Sequence, residues 1–332
     1  MKKSTKIALG AAIVGAVSSA AAYIAADKLF KFGCSRFDEM KDLWTTGKLT
    51  GQYSDIMTDA ILWARKQHPR RVEIMSNDGL RLVSHIIEAE NPRAAIILMH
   101  GFHSHGIHDF SLALEFYHNL GFTLIIPDQR AHGESEGKYI TYGVREKEDC
   151  ALWAKYSSKR YPGLPIILDG LSMGASTVLL ATGEELPEEV CGVIADCGYT
   201  TPMAIFRHFI LHNFKFEPSL VLPVANRLAK KRAGVDLARC SVPKTLANNK
   251  LPLFIAHGEA DTFVPPKMSD INIAAAKNCE VTVIKVPGAN HGESFLIAKD
   301  RYAEMVTEFI DKCIKQYESK VNSTNAEDIN EQ

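Results

Sequence analysis

The sequence predicts an α/β fold, a mostly parallel, doubly wound sheet entered through an antiparallel N-terminal hairpin and interrupted once by a helical insertion. Three observations predict it. Two short strand-like runs, residues 71–75 and 80–88, flank Ser76-Asn77-Asp78-Gly79, and Asp-Gly is a preferred pair for a tight hairpin turn. Beyond them, short apolar runs alternate with longer helical stretches, the pattern whose crossovers make neighbouring strands parallel. Residues 201–250 then break the alternation without a strand-like run.

The elements follow in chain order. Residues 7–26 carry no charge and are long enough for a helix to cross a bilayer of ~30 Å at ~1.5 Å per residue. Lys2, Lys3 and Lys6 precede them, which predicts a cytoplasmic N-terminus and a single-pass signal-anchor in the cell membrane, with the remainder exported. Ala20-Ala21-Ala22 offers small residues to a signal peptidase, so cleavage and secretion is the alternative. The predicted division is a signal-anchor or signal peptide over 1–30, a spacer and helix over 31–70, the main domain over 71–318, and a disordered polar tail over 319–332. Within the main domain, strands are expected at 94–99, 123–127, 166–168, 190–195, 251–256 and 281–286. Helices are expected at 110–120, 144–160, 175–184, 267–276 and 301–317.

In the insertion, Met203, Phe206, Phe209 and Ile210 recur at helical spacing and give one apolar face. Insertions at strand ends border the crevice where open α/β sheets bind ligands, so 201–250 is read as a lid, with Phe206 and Phe209 facing substrate. A plain helix packed on the body is the alternative.

Charge narrows the function classes. Lys plus Arg number 38 and Asp plus Glu 39, leaving a net charge of −1 and no basic patch of the kind nucleic acid requires. The seven cysteines are scattered and form no Cys-x-x-Cys, which argues against a zinc ribbon or redox pair. Cys191 and Cys197 flank an expected strand and read as small core residues.

The chemistry centres on Gly170-Leu171-Ser172-Met173-Gly174, between an apolar run and an Ala-rich stretch. Strand, sharp turn and helix is the context of a Gly-x-Ser-x-Gly nucleophile elbow, where the serine takes strained backbone angles and its neighbours must be small. A serine nucleophile needs a base, and the base an orienting carboxylate. Asp261 and His291 follow in the order such folds use, each just after an expected strand. Glu259 is the rival acid. An oxyanion hole needs two backbone N–H donors: Met173, after the nucleophile, and Phe102, after the turn at His100-Gly101.

His100, His103, His105, His108 and Asp109 invite a metal reading, but they do not follow the His-x-His-x-Asp-His order of metallo-β-lactamases. No metal and no organic cofactor is expected. His103 and His105 are placed at the mouth of the site or facing solvent, and Asp128 is expected to brace a structural turn.

Together, His100-Gly101, Asp128-Gln129-Arg130-Ala131-His132-Gly133-Glu134-Ser135, the Ser172 elbow, Asp261 and His291 resemble the α/β-hydrolase superfamily. Asp196-Cys197-Gly198-Tyr199-Thr200 and the residues from His257 to Pro265 are more narrowly similar to a bacterial, membrane-anchored branch related to prolyl-oligopeptidase-like and serine-aminopeptidase-like hydrolases. That resemblance implies an α/β-hydrolase fold with nucleophile Ser172, acid Asp261, base His291 and oxyanion donors Phe102 and Met173. It also implies a small ester or short peptide as substrate. A carboxylesterase is the leading expectation and a peptidase the second; a membrane-tethered binding protein with a decayed site is the third.

Overall fold

Alternation of side chains along the central strands decides which helices cover which face of the sheet. In the computed structural model, which describes residues 20–38 and 54–330, strand β3 (Ala94–Met99) sends Ile96 and Leu98 to one apolar cluster. Ala95, Ile97 and Met99 go to the other. A strand buried on both faces reads as a continuous apolar run, as this one does.

The sheet has eight strands: β1 (Arg70–Met75), β2 (Arg81–Ile87), β3, β4 (Phe122–Pro127), β5 (Ile166–Leu171), β6 (Val190–Asp196), β7 (Leu253–Gly258) and β8 (Val281–Val286). Their spatial order is β1-β2-β4-β3-β5-β6-β7-β8. β1 pairs antiparallel with β2, and β2 antiparallel with β4; every later pairing is parallel. The predicted hairpin and doubly wound sheet are thus present.

The helices begin with α1, over residues 20–34, and α2 (Ser54–Lys66). Next come the short α3 (Gly106–Asp109), α4 (Ser111–Asn119), α5 (Glu146–Arg160) and α6 (Met173–Ala181). α7 (Pro202–Phe214), α8 (Val221–Ala233) and α9 (Val242–Leu246) form the insertion. α10 (Lys267–Ala275), α11 (Ser294–Ile297) and α12 (Lys299–Asn330) complete the chain. α2, α4 and α12 cover one face through Ile61, Leu114, Tyr117, Val306 and Ile310. α5, α6 and α9 cover the other through Trp153, Val178, Leu179 and Leu246.

A third apolar cluster lies above the carboxyl ends of the strands, where Phe206, Ile210, Leu222 and Leu228 of the lid meet Ala26, Phe30 and Cys34 of α1. This revises the N-terminal boundary. Residues 7–19 of the predicted membrane span 7–26 lie outside the described residues, but its last residue, Ala26, is fully buried against the lid. Small Ala25 and Ala26 suit a close helix–helix contact as well as they suit lipid. Among the described residues no helix is long and apolar enough to cross a membrane.

The other end is also revised. The tail expected to be disordered from 319 continues α12 to Asn330, because the polar run holds no proline or glycine to stop a helix already begun. All seven cysteines are free, five of them buried.

Candidate active site

Ser172 sits between β5 and α6 with φ 57° and ψ −111°, a left-handed conformation costly for a side-chain-bearing residue. The surrounding structure holds it there. Its N–H donates to the Asp196 carbonyl at 2.8 Å, and its own carbonyl accepts the Ser176 N–H at 3.1 Å. The flanking glycines are required by space: a Cβ on Gly170 would lie 2.2 Å from the Gly174 carbonyl oxygen, and one on Gly174 only 1.7 Å from that of Met99. The sequence spacing of small residues about Ser172 is therefore a packing demand.

Two loops from the same sheet edge complete the group. Asp261 follows β7 and His291 follows β8. His291 Nε2 lies 2.8 Å from Ser172 Oγ, and His291 Nδ1 lies 2.7 Å from Asp261 Oδ2. Asp261 Oδ1 accepts the N–H groups of Phe263 at 2.9 Å and Val264 at 2.8 Å, so the turn orients the carboxylate. Burial disfavours its charge, but hydrogen bonds from His257 and His291 outweigh that and hold the carboxyl well below its ordinary range. Glu259, the rival acid, is solvent-exposed.

Phe102 and Met173 line the same cavity as Ser172, together with Phe206 and Phe209 of the lid. The Phe102 turn is braced from below. Asp109 Oδ2 accepts the Gly101 N–H at 2.6 Å, while Asp109 Oδ1 meets Ser104 Oγ and lies 2.9 Å from His108 Nδ1. Burial opposes its charge, yet His108 and Ser104 hold the Asp109 carboxyl down to about 2.

The histidine run is spent on structure. His100 Nε2 accepts the Gln129 N–H at 3.0 Å, and burial lowers the pKa of its ring. His105, expected at the mouth or in solvent, is instead buried, with Nε2 3.0 Å from Asp128 Oδ1. Its side chain also accepts the Ile107 N–H at the start of α3, which draws it inward. His103 stacks on Phe37 with ring centroids 4.7 Å apart. Asp128 braces its turn as expected, accepting the Glu134 N–H at 2.8 Å. Arg130 is held by Asp149 and Asp78. Among the described residues, Cys197, Asp261 and His291 form the one trio whose ligand atoms converge, within 4.8 Å. Burial pushes the Cys197 thiol well above its usual value.

Three features escape a linear reading. His257, 3.2 Å from Asp261, is buried at the end of β7. Asp196 and Asp169 lie behind the elbow, where burial raises their carboxyl groups to about 6 and about 7. Leu29 and Phe32 of α1 line the Ser172 cavity.

This sheet order, the elbow after β5 and the helical insertion after β6 define an α/β-hydrolase fold. Residues 90–231 match the family model for serine aminopeptidase, S33. The uncharacterized YqkD of Bacillus subtilis is 27% identical over 233 residues, covering 68% of this chain and 74% of its own. Caffeoylshikimate esterase of Arabidopsis thaliana is 24% identical over 276 residues, covering 69% of this chain and 80% of its own. Among solved structures, an esterase of Pyrococcus furiosus superposes with a TM-score of 0.63 at 23% identity, over 80% of this chain and 96% of that one.

Proposed function

We propose that the protein is a serine hydrolase that cleaves carboxylic esters through an acyl-enzyme. The observation that carries this reading is the unbroken hydrogen-bond line from Ser172 through His291 to Asp261. In the proposed cycle, His291 Nε2 takes the Ser172 proton as Oγ attacks the ester carbonyl. Asp261 holds the proton on Nδ1 and stabilises the imidazolium. The Phe102 and Met173 amides receive the oxyanion. His291 then passes its proton to the departing alcohol, and water repeats the sequence to release the acid and restore the serine.

The cavity supports an ester with an apolar acyl group. Its walls are Phe102, Phe206, Phe209, Phe263, Ile205 and neighbouring apolar residues, with no carboxylate among the lining residues to receive a substrate amine. A peptidase is the second reading, favoured by the match to the serine aminopeptidase model. The charge-free residues 7–19 ahead of α1, behind three lysines, support attachment to the cell membrane with the hydrolase domain outside the cytoplasm.

A fluorophosphonate probe tests the reading. Labelling is expected in the intact protein and its loss in Ser172→Ala; folded protein that never labels would refute it. Turnover of p-nitrophenyl esters against aminoacyl amides separates esterase from peptidase.

A further inference from the structure

The carboxylate of Asp261 meets a second imidazole. His257, the last residue but one of β7, is fully buried, with Nε2 2.8 Å from the Val264 carbonyl oxygen and 3.2 Å from Asp261 Oδ2. Both neighbours are acceptors, so Nε2 carries a proton. Val264 joins the two contacts: its N–H donates to Asp261 Oδ1 at 2.8 Å while its carbonyl receives the ring. His257 therefore grips the acid turn at the carboxylate and at the residue that orients it.

The other ring nitrogen is engaged as well. Nδ1 lies 2.8 Å from Ser269 Oγ, in the first turn of α10. Lys285 Nζ, on β8, donates to the same oxygen at 2.9 Å and pairs with Asp270 at 2.8 Å. An ammonium only donates, so it takes an Oγ lone pair and leaves the single Ser269 proton to point at Nδ1 or at the Pro266 carbonyl, 2.9 Å away. A ring protonated on Nε2 alone offers that hydroxyl a lone pair and sets no second positive charge beside Lys285. Ser269 and Lys285 thereby fix both the tautomer and the rotation of the His257 ring. The residues walling the Ser172 cavity include none of His257, Ser269 and Lys285, so their route to the substrate runs through Asp261.

Resting on the acyl-enzyme reading above, we propose that His257 is a positioning residue for the catalytic acid, held in its Nε2–H form by Ser269 and Lys285, and that this relay acts on the chemical step. Asp261 Oδ2 is the oxygen that faces His291 Nδ1 at 2.7 Å. A second N–H beside that oxygen keeps it aimed while His291 takes and returns the Ser172 proton. The Val264 clamp keeps Oδ1 turned toward the backbone. Together with His291, His257 also keeps the buried carboxyl ionised.

The test uses the full-length protein and p-nitrophenyl acetate. His257→Leu keeps the bulk and loses the donor; it should lower kcat about 10- to 100-fold with KM within about twofold, the scale on which losing an orienting partner acts. His257→Gln restores an N–H near the position of Nε2 and should return kcat to within about fivefold of wild type. Ser269→Ala leaves the ring unanchored and should lower kcat about fivefold, the worth of one hydrogen bond. A Gln variant no better than the Leu variant, or kcat within about twofold of wild type in His257→Leu, would overturn the relay. Should a His257 variant fail to fold, Ser269→Ala decides, and an unchanged kcat there overturns it. The downfield proton NMR line of His291 Nδ1–H, identified by its absence from His291→Ala, is read without turnover. It should move in His257→Leu and return in His257→Gln. If wild-type protein cleaves no ester and takes no fluorophosphonate label, the hydrolase reading fails; a line that moves in this way still supports the relay, and one unmoved in both variants refutes it.

Discussion

Asp109 Oδ2 accepts the backbone N–H of Gly101 at 2.6 Å, and that bond anchors the turn carrying the next amide, Phe102, toward the Ser172 cavity. A carboxylate outside the Ser172–His291–Asp261 line thereby positions one proposed oxyanion donor. Asp109→Asn keeps an acceptor but loses the charge that binds His108 and Ser104. It is expected to lower kcat about tenfold with KM nearly unchanged, a fraction of the ~10²–10³ seen when a donor is removed outright. Steady-state kinetics on p-nitrophenyl acetate, with thermal melts of the same protein, check this; a lower melting temperature at full kcat would reduce Asp109 to a structural role.

Asp261 and Glu259 are two residues apart in sequence but unequal in space, one buried against His291 and the other in solvent. Asp261→Asn is expected to cost about 10⁴-fold in kcat through the wrong imidazole tautomer. Glu259→Gln should stay within about twofold, as exposed substitutions away from a site usually do. Comparable losses in the two variants would contradict the assignment of the acid.

Gly174→Ala is expected to be severely destabilising. The added Cβ would collide with the Met99 carbonyl, and neither β3 nor α6 can withdraw without breaking the sheet's central packing. A loss above about 4 kcal/mol, or failure to recover soluble protein, is the expected outcome in chemical denaturation.

The contributions of Asp169 and Asp196 to stability should fall as pH rises from 5 to 8. Burial raises Asp169 to about 7 and Asp196 to about 6, so the folded chain holds protons that the unfolded chain, with carboxyl groups near ~4, has already released. The contribution is complete below the unfolded range and is lost as pH climbs through the folded values. Asp169→Asn keeps an acceptor for the Tyr117 hydroxyl, which donates at 2.8 Å, and removes the ionisation. Its melting temperature should drop less than the wild type's across that interval, by about 3 °C or more. An equal drop would place the pH dependence elsewhere.

Strand alternation, the Asp-Gly hairpin, the small neighbours of Ser172 and the order Ser172, Asp261, His291 were all legible in the sequence. Each is dictated within a few residues: side-chain period sets burial, glycine spacing sets the turn, and strand ends set where loops emerge. Packing alone decided the rest. The burial of His105 against Asp128, and of Asp169 and Asp196 behind the elbow, depends on segments distant in the chain. So does the wall that α1 adds above Ser172, because local pattern states which face of a helix is apolar but not which surface will cover it.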